Sequence, residues 1–247
     1  MKRFKSSVSN LYGIYSICRY YAYRMIYYSL LLFITIITVS PASGQEIAPL
    51  DIARKLQTTY ENAANIMADF SQTTTMKFSP RVRQGSGKMI FLKPGRMRWD
   101  YITPDSQVLI SDGKTISMYF EKNNQMIISD AKDYLQSDVT YSFFAGTGDI
   151  LKDFDISGPD FDNDEPDTYL IKLVPKSAHP QVSVMYVWIA RGTFLIKQLQ
   201  IIDHFDTVTY LYFTNIKIDA DYYGDRKIGE DLFYFTPPKN TEIIEQF

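Results

Sequence analysis

The chain has 247 residues, 45% of them hydrophobic and 22% charged, and its 26 lysines and arginines against 28 aspartates and glutamates give a formal net charge of −2. Such a composition excludes an intrinsically disordered chain and one embedded throughout in a bilayer. The near-neutral total hides an asymmetry: residues 1–44 hold five basic residues (Lys2, Arg3, Lys5, Arg19, Arg24) and no acidic one, leaving 21 basic against 28 acidic in the rest.

Residues 25–39 (MIYYSLLLFITIITV) carry no charge, follow a basic stretch and precede the small residues and helix breaker of SPASG. This order is that of a secretory signal. We expect a signal peptide over 1–44, cleaved after Gly44, with Ala42 as the alternative. The rival is a retained anchor, but a spanning helix needs about 20 apolar residues. The long basic part leaves Met25 open as the true start. The single cysteine, Cys18, precedes the apolar run, so the expected mature chain, 45–247, can form no disulfide and no cysteine-based metal site. It is acidic, which gives no support to nucleic-acid binding. It reads as one exported, soluble domain.

Along that domain, Leu50, Ala53, Leu56 and Tyr60 predict an amphipathic helix over 47–62. The period then changes to two. Strands are expected over 66–78, 87–92, 97–102, 107–111, 115–120 and 125–129, with hairpin turns at Asp112-Gly113 and Asn123-Asn124. Residues 141–154 break the pattern, with Phe143, Phe144, Ile150, Leu151 and Phe154 interrupted by Gly146 and Gly148, and predict one or two short helices. Strands resume over 168–174, 182–190, 194–202, 208–218 and near 232–235. The turn Arg191-Gly192-Thr193 and an acidic loop over 160–167 lie among them. The expected fold is mainly β (α+β): one curved antiparallel sheet of about ten or eleven strands, an incomplete barrel covered by helices. Curvature buries one face and a cover deals with it.

Nothing in the chain carries enzymatic chemistry, a metal or a cofactor. There are two histidines, His179 and His204, both expected at the surface. Gly85-Ser86-Gly87 has the wrong spacing for a nucleophile elbow. Gly87-Lys88 lacks the following hydroxyl and the first glycine of a phosphate loop. The acidic loop has Glu165 where a calcium loop needs glycine and Ile171 where it needs the bidentate glutamate. What stands out is a methionine and aromatic stripe, Met89, Phe91, Met97, Trp99, Met118 and Phe120. It fits a plain core, and it equally fits a ligand cavity, because a single curved sheet has no second sheet to fill its concave side and methionine moulds to varied shapes.

Several segments in order resemble the periplasmic lipoprotein carrier family (LolA-like): ADFSQ at 68–72, GKMIFLKPGRMRW at 87–99, SDGKT at 111–115, FFAG at 143–146 leading to Asp149-Ile150 and Phe154, and FTPP at 235–238. The resemblance implies an open barrel with a helical lid over an apolar cavity. The cavity wall would be Phe70, Met89, Phe91, Met97, Trp99, Met118 and Phe120, and the lid Phe143, Phe144, Ile150 and Leu151. Met97 stands where relatives often have a lipid-contacting aromatic. Lys93 stands where an arginine commonly ties lid to barrel, and lysine lacks that planar fork, so either the lid is held less firmly here or Arg96 or Arg98 supplies part of the role. The implied protein is a monomeric periplasmic chaperone of a Gram-negative bacterium. It takes acylated lipoproteins from an inner-membrane ABC transporter complex to the outer membrane, where a dedicated acceptor is a further possible partner. The alternatives are an exported half-barrel for free lipid or glycolipid and a protein-binding sensor or scaffold, since fold does not fix function.

Overall fold

The computed structural model describes residues 47–132, 144, 148–179 and 181–246; the expected signal peptide and Phe143 lie outside the described residues. Helix α1 (Pro49–Asn62) forms where Ile52, Ala53, Leu56 and Tyr60 align into one buried stripe. Pro49 opens it, where a missing N–H leaves no bond unmade, and extended backbone at Ala63 ends it.

The chain then lays down an antiparallel meander: β1 (Asn65–Thr75), β2 (Val82–Leu92), β3 (Arg96–Thr103), β4 (Gln107–Asp112), β5 (Thr115–Phe120) and β6 (Gln125–Asp130). A second meander follows helix α2 (Ile150–Asp153): β7 (Phe154–Ser157), β8 (Thr168–Pro175), β9 (Val184–Ala190), β10 (Ile196–Ile202) and β11 (Val208–Ile218). Strand β11 pairs with β1, which fuses both meanders into one large curved sheet. A two-stranded ribbon, β12 (Tyr222–Tyr223) and β13 (Arg226–Lys227), precedes β14 (Glu242–Gln246), which adds to β6 in parallel. The order is β14-β6-β5-β4-β3-β2-β1-β11-β10-β9-β8-β7, twelve strands that do not close into a barrel.

The turns follow their local chemistry. Asp112 Oδ1 accepts the Lys114 and Thr115 amides at 2.8 Å each, while Gly113 takes a φ of 96°. The expected open sheet is observed, with three differences of detail. Strand β2 starts at Val82 because it pairs along the whole of β1, to Thr75. Strands β7 and β14 are additional. Residues 232–235 form no strand: Glu230–Phe233 is a 3-10 turn whose Leu232 and Phe233 dock side-on onto the sheet.

Alternation sorts the sheet into two faces. The concave face gathers Ile66, Ala68, Phe70, Met89, Phe91, Met97, Trp99 and Leu109 from the first meander. It gathers Ile171, Leu173, Met185, Val187, Leu199, Leu211 and Phe213 from the second. The convex face carries two smaller clusters. Ile90 and Ile110 lie under Tyr223, Leu232 and Phe233. Leu170, Tyr186 and Trp188 lie under the acidic loop, with Phe161 4.9 Å from the Tyr186 ring. That loop is bound rather than free: the Asp160 carboxylate takes Lys172 Nζ at 2.6 Å and the Tyr186 hydroxyl at 2.7 Å.

Two positions fix how β1 and β2 sit against their neighbours. At the register shift of β2 on β3, a Cβ on Gly87 would lie 1.9 Å from the Asp100 carbonyl oxygen. Gly87→Ala should therefore lower stability by about 3 kcal/mol, read as the urea midpoint; an unchanged midpoint would refute the close approach. Asp69 sits at the β1 bulge, joined to Lys88 Nζ at 2.6 Å and Asn215 Nδ2 at 2.6 Å. Those two hydrogen bonds, Lys88 first, hold its carboxyl below the usual range despite partial burial. The stabilisation is complete above the unfolded carboxylate pKa of about 4 and is lost as pH falls through the lower folded value. Asp69→Asn should lose about 1 kcal/mol at neutral pH and flatten the acid limb of a stability–pH curve. Parallel curves for both proteins would contradict this.

Candidate functional site

The concave face has no second sheet across it. Among the described residues its cover is α1, α2 and Phe144. Among its buried side chains the apolar wall is continuous from Ile66 and Phe91 on one meander to Val187 and Ile171 on the other. Helix α1 lies on it with Ile52, Ala53, Leu56 and Tyr60 inward. The Tyr60 hydroxyl accepts the Ile196 amide of β10 at 3.0 Å. Burial pushes this phenol well above its ordinary pKa although that amide donates to it, so it stays neutral.

Phe144 fills the centre. Its ring stacks on Phe91 at 5.1 Å and meets Tyr60 at 5.5 Å and Phe213 at 5.4 Å edge-on. It thus bridges α1 and both meanders. Beneath it, Phe91 and Trp99 lie 6.1 Å apart, and Phe70 is tilted against Trp99 at 4.5 Å. Ile150 of α2 is buried in the same cluster and Leu151 packs at its margin. The Asp149 carboxylate accepts the Leu151 and Lys152 amides at 3.0 Å and so caps α2.

The expected wall residues divide into two groups. Phe70, Met89, Phe91, Met97 and Trp99 are brought together as a fully buried patch. Met118 is half-buried at its edge, and Phe120, at the far end of β5, is half-buried outside the buried clusters. Of the expected lid residues, Phe144, Ile150 and Leu151 lie over this patch.

The polar ties run differently from expectation. Arg96 pairs with Glu230 at 2.7 Å, and Arg98 holds Asp100 at 2.7 Å and the Leu232 carbonyl at 3.0 Å. The contacts to Glu230 and Leu232 fasten the C-terminal segment to the convex face, where Tyr223 also donates to Asp100 at 2.8 Å. The reason is register: residues 96 and 98 alternate with Met97 and Trp99, so their side chains leave on the opposite side. Lys93 Nζ donates to the Tyr60 carbonyl and so anchors the end of α1. Burial holds its pKa below the usual lysine range, with Glu61 and Asp219 opposing.

The tie to the described lid residues comes from Gln57, which sequence reasoning missed. This buried side chain accepts the Ile150 amide at 3.2 Å and donates to the Gly148 carbonyl at 3.5 Å and to Glu61 at 2.9 Å. Its signal was available: Gln57 lies in the 53–57–60 row of the apolar stripe, where a polar residue needs a partner. Lys176 adds a contact to the Leu151 carbonyl at 3.1 Å. Among the described residues the arrangement brings no acid–base pair or nucleophile to its centre. They form an apolar surface covered by the Phe144 ring and tied by the Gln57 and Lys176 hydrogen bonds.

Comparison with known proteins agrees with this geometry. The chain is 28% identical over 191 residues to an outer-membrane lipoprotein carrier protein of Nitrosomonas europaea, covering 77% of this chain and 87% of that one. It is 28% identical over 205 residues to the protein of the same description from Methylococcus capsulatus, covering 83% and 91%. Among solved structures, an uncharacterized conserved protein from Thermus thermophilus shares the fold at a TM-score of 0.50 and 12% identity, covering 79% of this chain and 98% of that one. The sequence profile of the outer membrane lipoprotein carrier protein LolA matches residues 61–225, and with two thirds of its length so matched the chain belongs to that family.

Proposed function

We propose that this protein is a periplasmic carrier, not an enzyme. It shields the acyl chains of lipoproteins against its concave face while they travel from an inner-membrane ABC transporter complex to the outer membrane. The observation that carries the reading is Phe144: a ring from the segment joining β6 to β7 occupies the centre of an otherwise continuous apolar wall. Family membership supports the cargo class.

The physical task fits such a device. Each methylene kept from water is worth about 0.8 kcal/mol, so one sixteen-carbon chain costs on the order of 12 kcal/mol to expose. An empty open wall would itself be a large exposed apolar patch. In the unloaded protein α1 and Phe144 cover it; in the loaded one, acyl chains replace Phe144 against Phe91, Trp99 and Phe213. Both states bury comparable surface, so the exchange runs between two states of similar energy, as a carrier that must also release requires. Gln57, bonded to Gly148 and Ile150, is the hinge-side tie that loading has to stretch or break.

Phe144→Ala should loosen the closed state. The variant should bind an environment-sensitive apolar dye several-fold more tightly and unfold with a stability loss of about 3 kcal/mol. Unchanged dye affinity in a folded variant would remove Phe144 from the role assigned to it. For the cargo itself, the protein should take a triacylated lipoprotein from proteoliposomes bearing the transporter and yield it to outer-membrane lipid. Recovery of free phospholipid alone, without lipoprotein transfer, would instead favour a lipid or glycolipid carrier; no uptake of lipid or dye would favour a scaffold.

A further inference from the structure

The two most exposed large apolar side chains among the described residues are Phe78, at 91%, and Phe205, at 79%. They are far apart in sequence but sit on adjacent turns. Phe78 lies in the turn after β1 and Phe205 in the turn before β11, and Thr75 of β1 pairs with Val208 of β11. Each turn is built to hold its ring outward. Ser79 N–H donates to the Met76 carbonyl at 3.1 Å, which places Lys77 and Phe78 at the crest. The Asp203 carboxylate accepts the Phe205 amide at 2.7 Å and the Thr207 amide at 2.8 Å. An ion pair of 2.5 Å between Lys77 and Asp206 fastens one turn to the other. Val82 and Ile102, also exposed, belong to the same end of the sheet.

The turn after β1 is basic, although the turn paired with it carries Asp203 and Asp206 and the neighbouring turns Asp105 and Glu121. Residues 72–84 hold Lys77, Arg81 and Arg83 and no acidic residue, in a domain where acid exceeds base. The nearest carboxylates are committed, Asp203 to turn amides and Asp206 to Lys77. Among the described residues neither Arg81 nor Arg83 has an ionic partner. Singly scattered apolar residues need no explanation. Two aromatic rings held at the crest of stapled turns, flanked by unpaired cations, form the combination that a bilayer interface with anionic headgroups takes up.

We propose that the paired turns carrying Phe78 and Phe205 dock on an anionic phospholipid surface, the rings entering the interface and Arg81 and Arg83 meeting headgroup phosphates. This goes beyond the carrier reading: lipid docking here requires no cargo, and its test uses cargo-free protein. The turn at Gly113, next to Gly95, lies at the opposite end of the strands and so would face away from the membrane.

The test uses the protein purified after export, with Cys18→Ser in the gene, so that a single introduced cysteine carries a polarity-sensitive NBD label, at Phe78→Cys in one protein and at Lys114→Cys in another. With vesicles of phosphatidylglycerol and phosphatidylethanolamine, the label at position 78 should shift to the blue and be quenched by bilayer-embedded spin labels. The label at 114 should do neither, and pure phosphatidylcholine should give neither response. Arg81→Gln and Arg83→Gln should each weaken the response at position 78 roughly fivefold, and high salt should weaken it further. Water-like emission from position 78 on every vesicle would overturn the proposal, as would equal responses at 78 and 114. Protection of that label only when membrane protein is added would also overturn it and assign the turns to a protein partner.

Discussion

The fold depends on one topological constraint. Strand β6 lies near one edge of the sheet and β7 at the other, and of the chain between them the described residues Phe144 and Ile150 are buried against one face. The convex face is taken by the C-terminal segment, docked through Leu232 and Phe233, and by the acidic loop docked through Phe161. The concave face is the one that receives Phe144. The described cover residues Phe144, Ile150 and Leu151 thus belong to the connection between the two meanders, so what covers the wall is joined in sequence to both halves of the sheet.

The same constraint separates what is fixed from what can move. Helix α1 is attached to the sheet by the Tyr60–Ile196 bond and by Lys93 at its last turn, and Ile52, Ala53, Leu56 and Tyr60 lie buried along its apolar stripe. Phe144 and Ile150 reach the wall through apolar contact and, for the described residues, through Gln57 and Lys176. Dispersion and hydrophobic contact carry no directional demand, so an acyl chain can take the place of a ring with little penalty. Losing the Gln57 bonds is a modest cost when water can enter to replace them. A wall made rigid by strand pairing and a plug held mainly by non-directional forces give the asymmetry that exchange requires.

Much of this was legible in the sequence because period-two alternation survives in the strands that matter. Residues 97 and 99 against 96 and 98 already assign opposite faces, and the buried patch from Phe70 to Trp99 follows from that alternation alone. Reading Arg96 and Arg98 as lid contacts set aside the same rule. They point to the convex side, where Glu230, Asp100 and the Leu232 carbonyl wait more than 130 residues away for two of their three contacts. Nothing local announces such partners. Gln57 was hidden differently, as one polar residue in a good apolar stripe that a count of hydrophobic positions passes over. Strand β7 was obscured because Phe154 closes α2 and opens the strand at one residue, and β14 because its pairing is parallel and remote. Phe78 and Phe205 looked like ordinary strand and turn residues until pairing of β1 with β11 set their turns side by side.

The two faces also divide the chemistry of recognition. The charged groups with fixed partners described above, Asp100 with Arg98 and Tyr223 and Asp160 with Lys172 and Tyr186, lie on the convex side. There they lock loops and the C-terminal segment into one arrangement. The concave wall is made of Met89, Met97, Met185 and aromatic or branched aliphatic groups. A surface of that kind offers little to read the identity of a protein attached to an acyl chain, because its described side chains are almost all apolar and the Trp99 indole and Tyr60 hydroxyl are buried among them. Methionine adapts to chains of different length and kink. A carrier with this division would be general toward lipid-modified cargo, and any selection among lipoproteins would have to be made before loading, by whatever hands the cargo over.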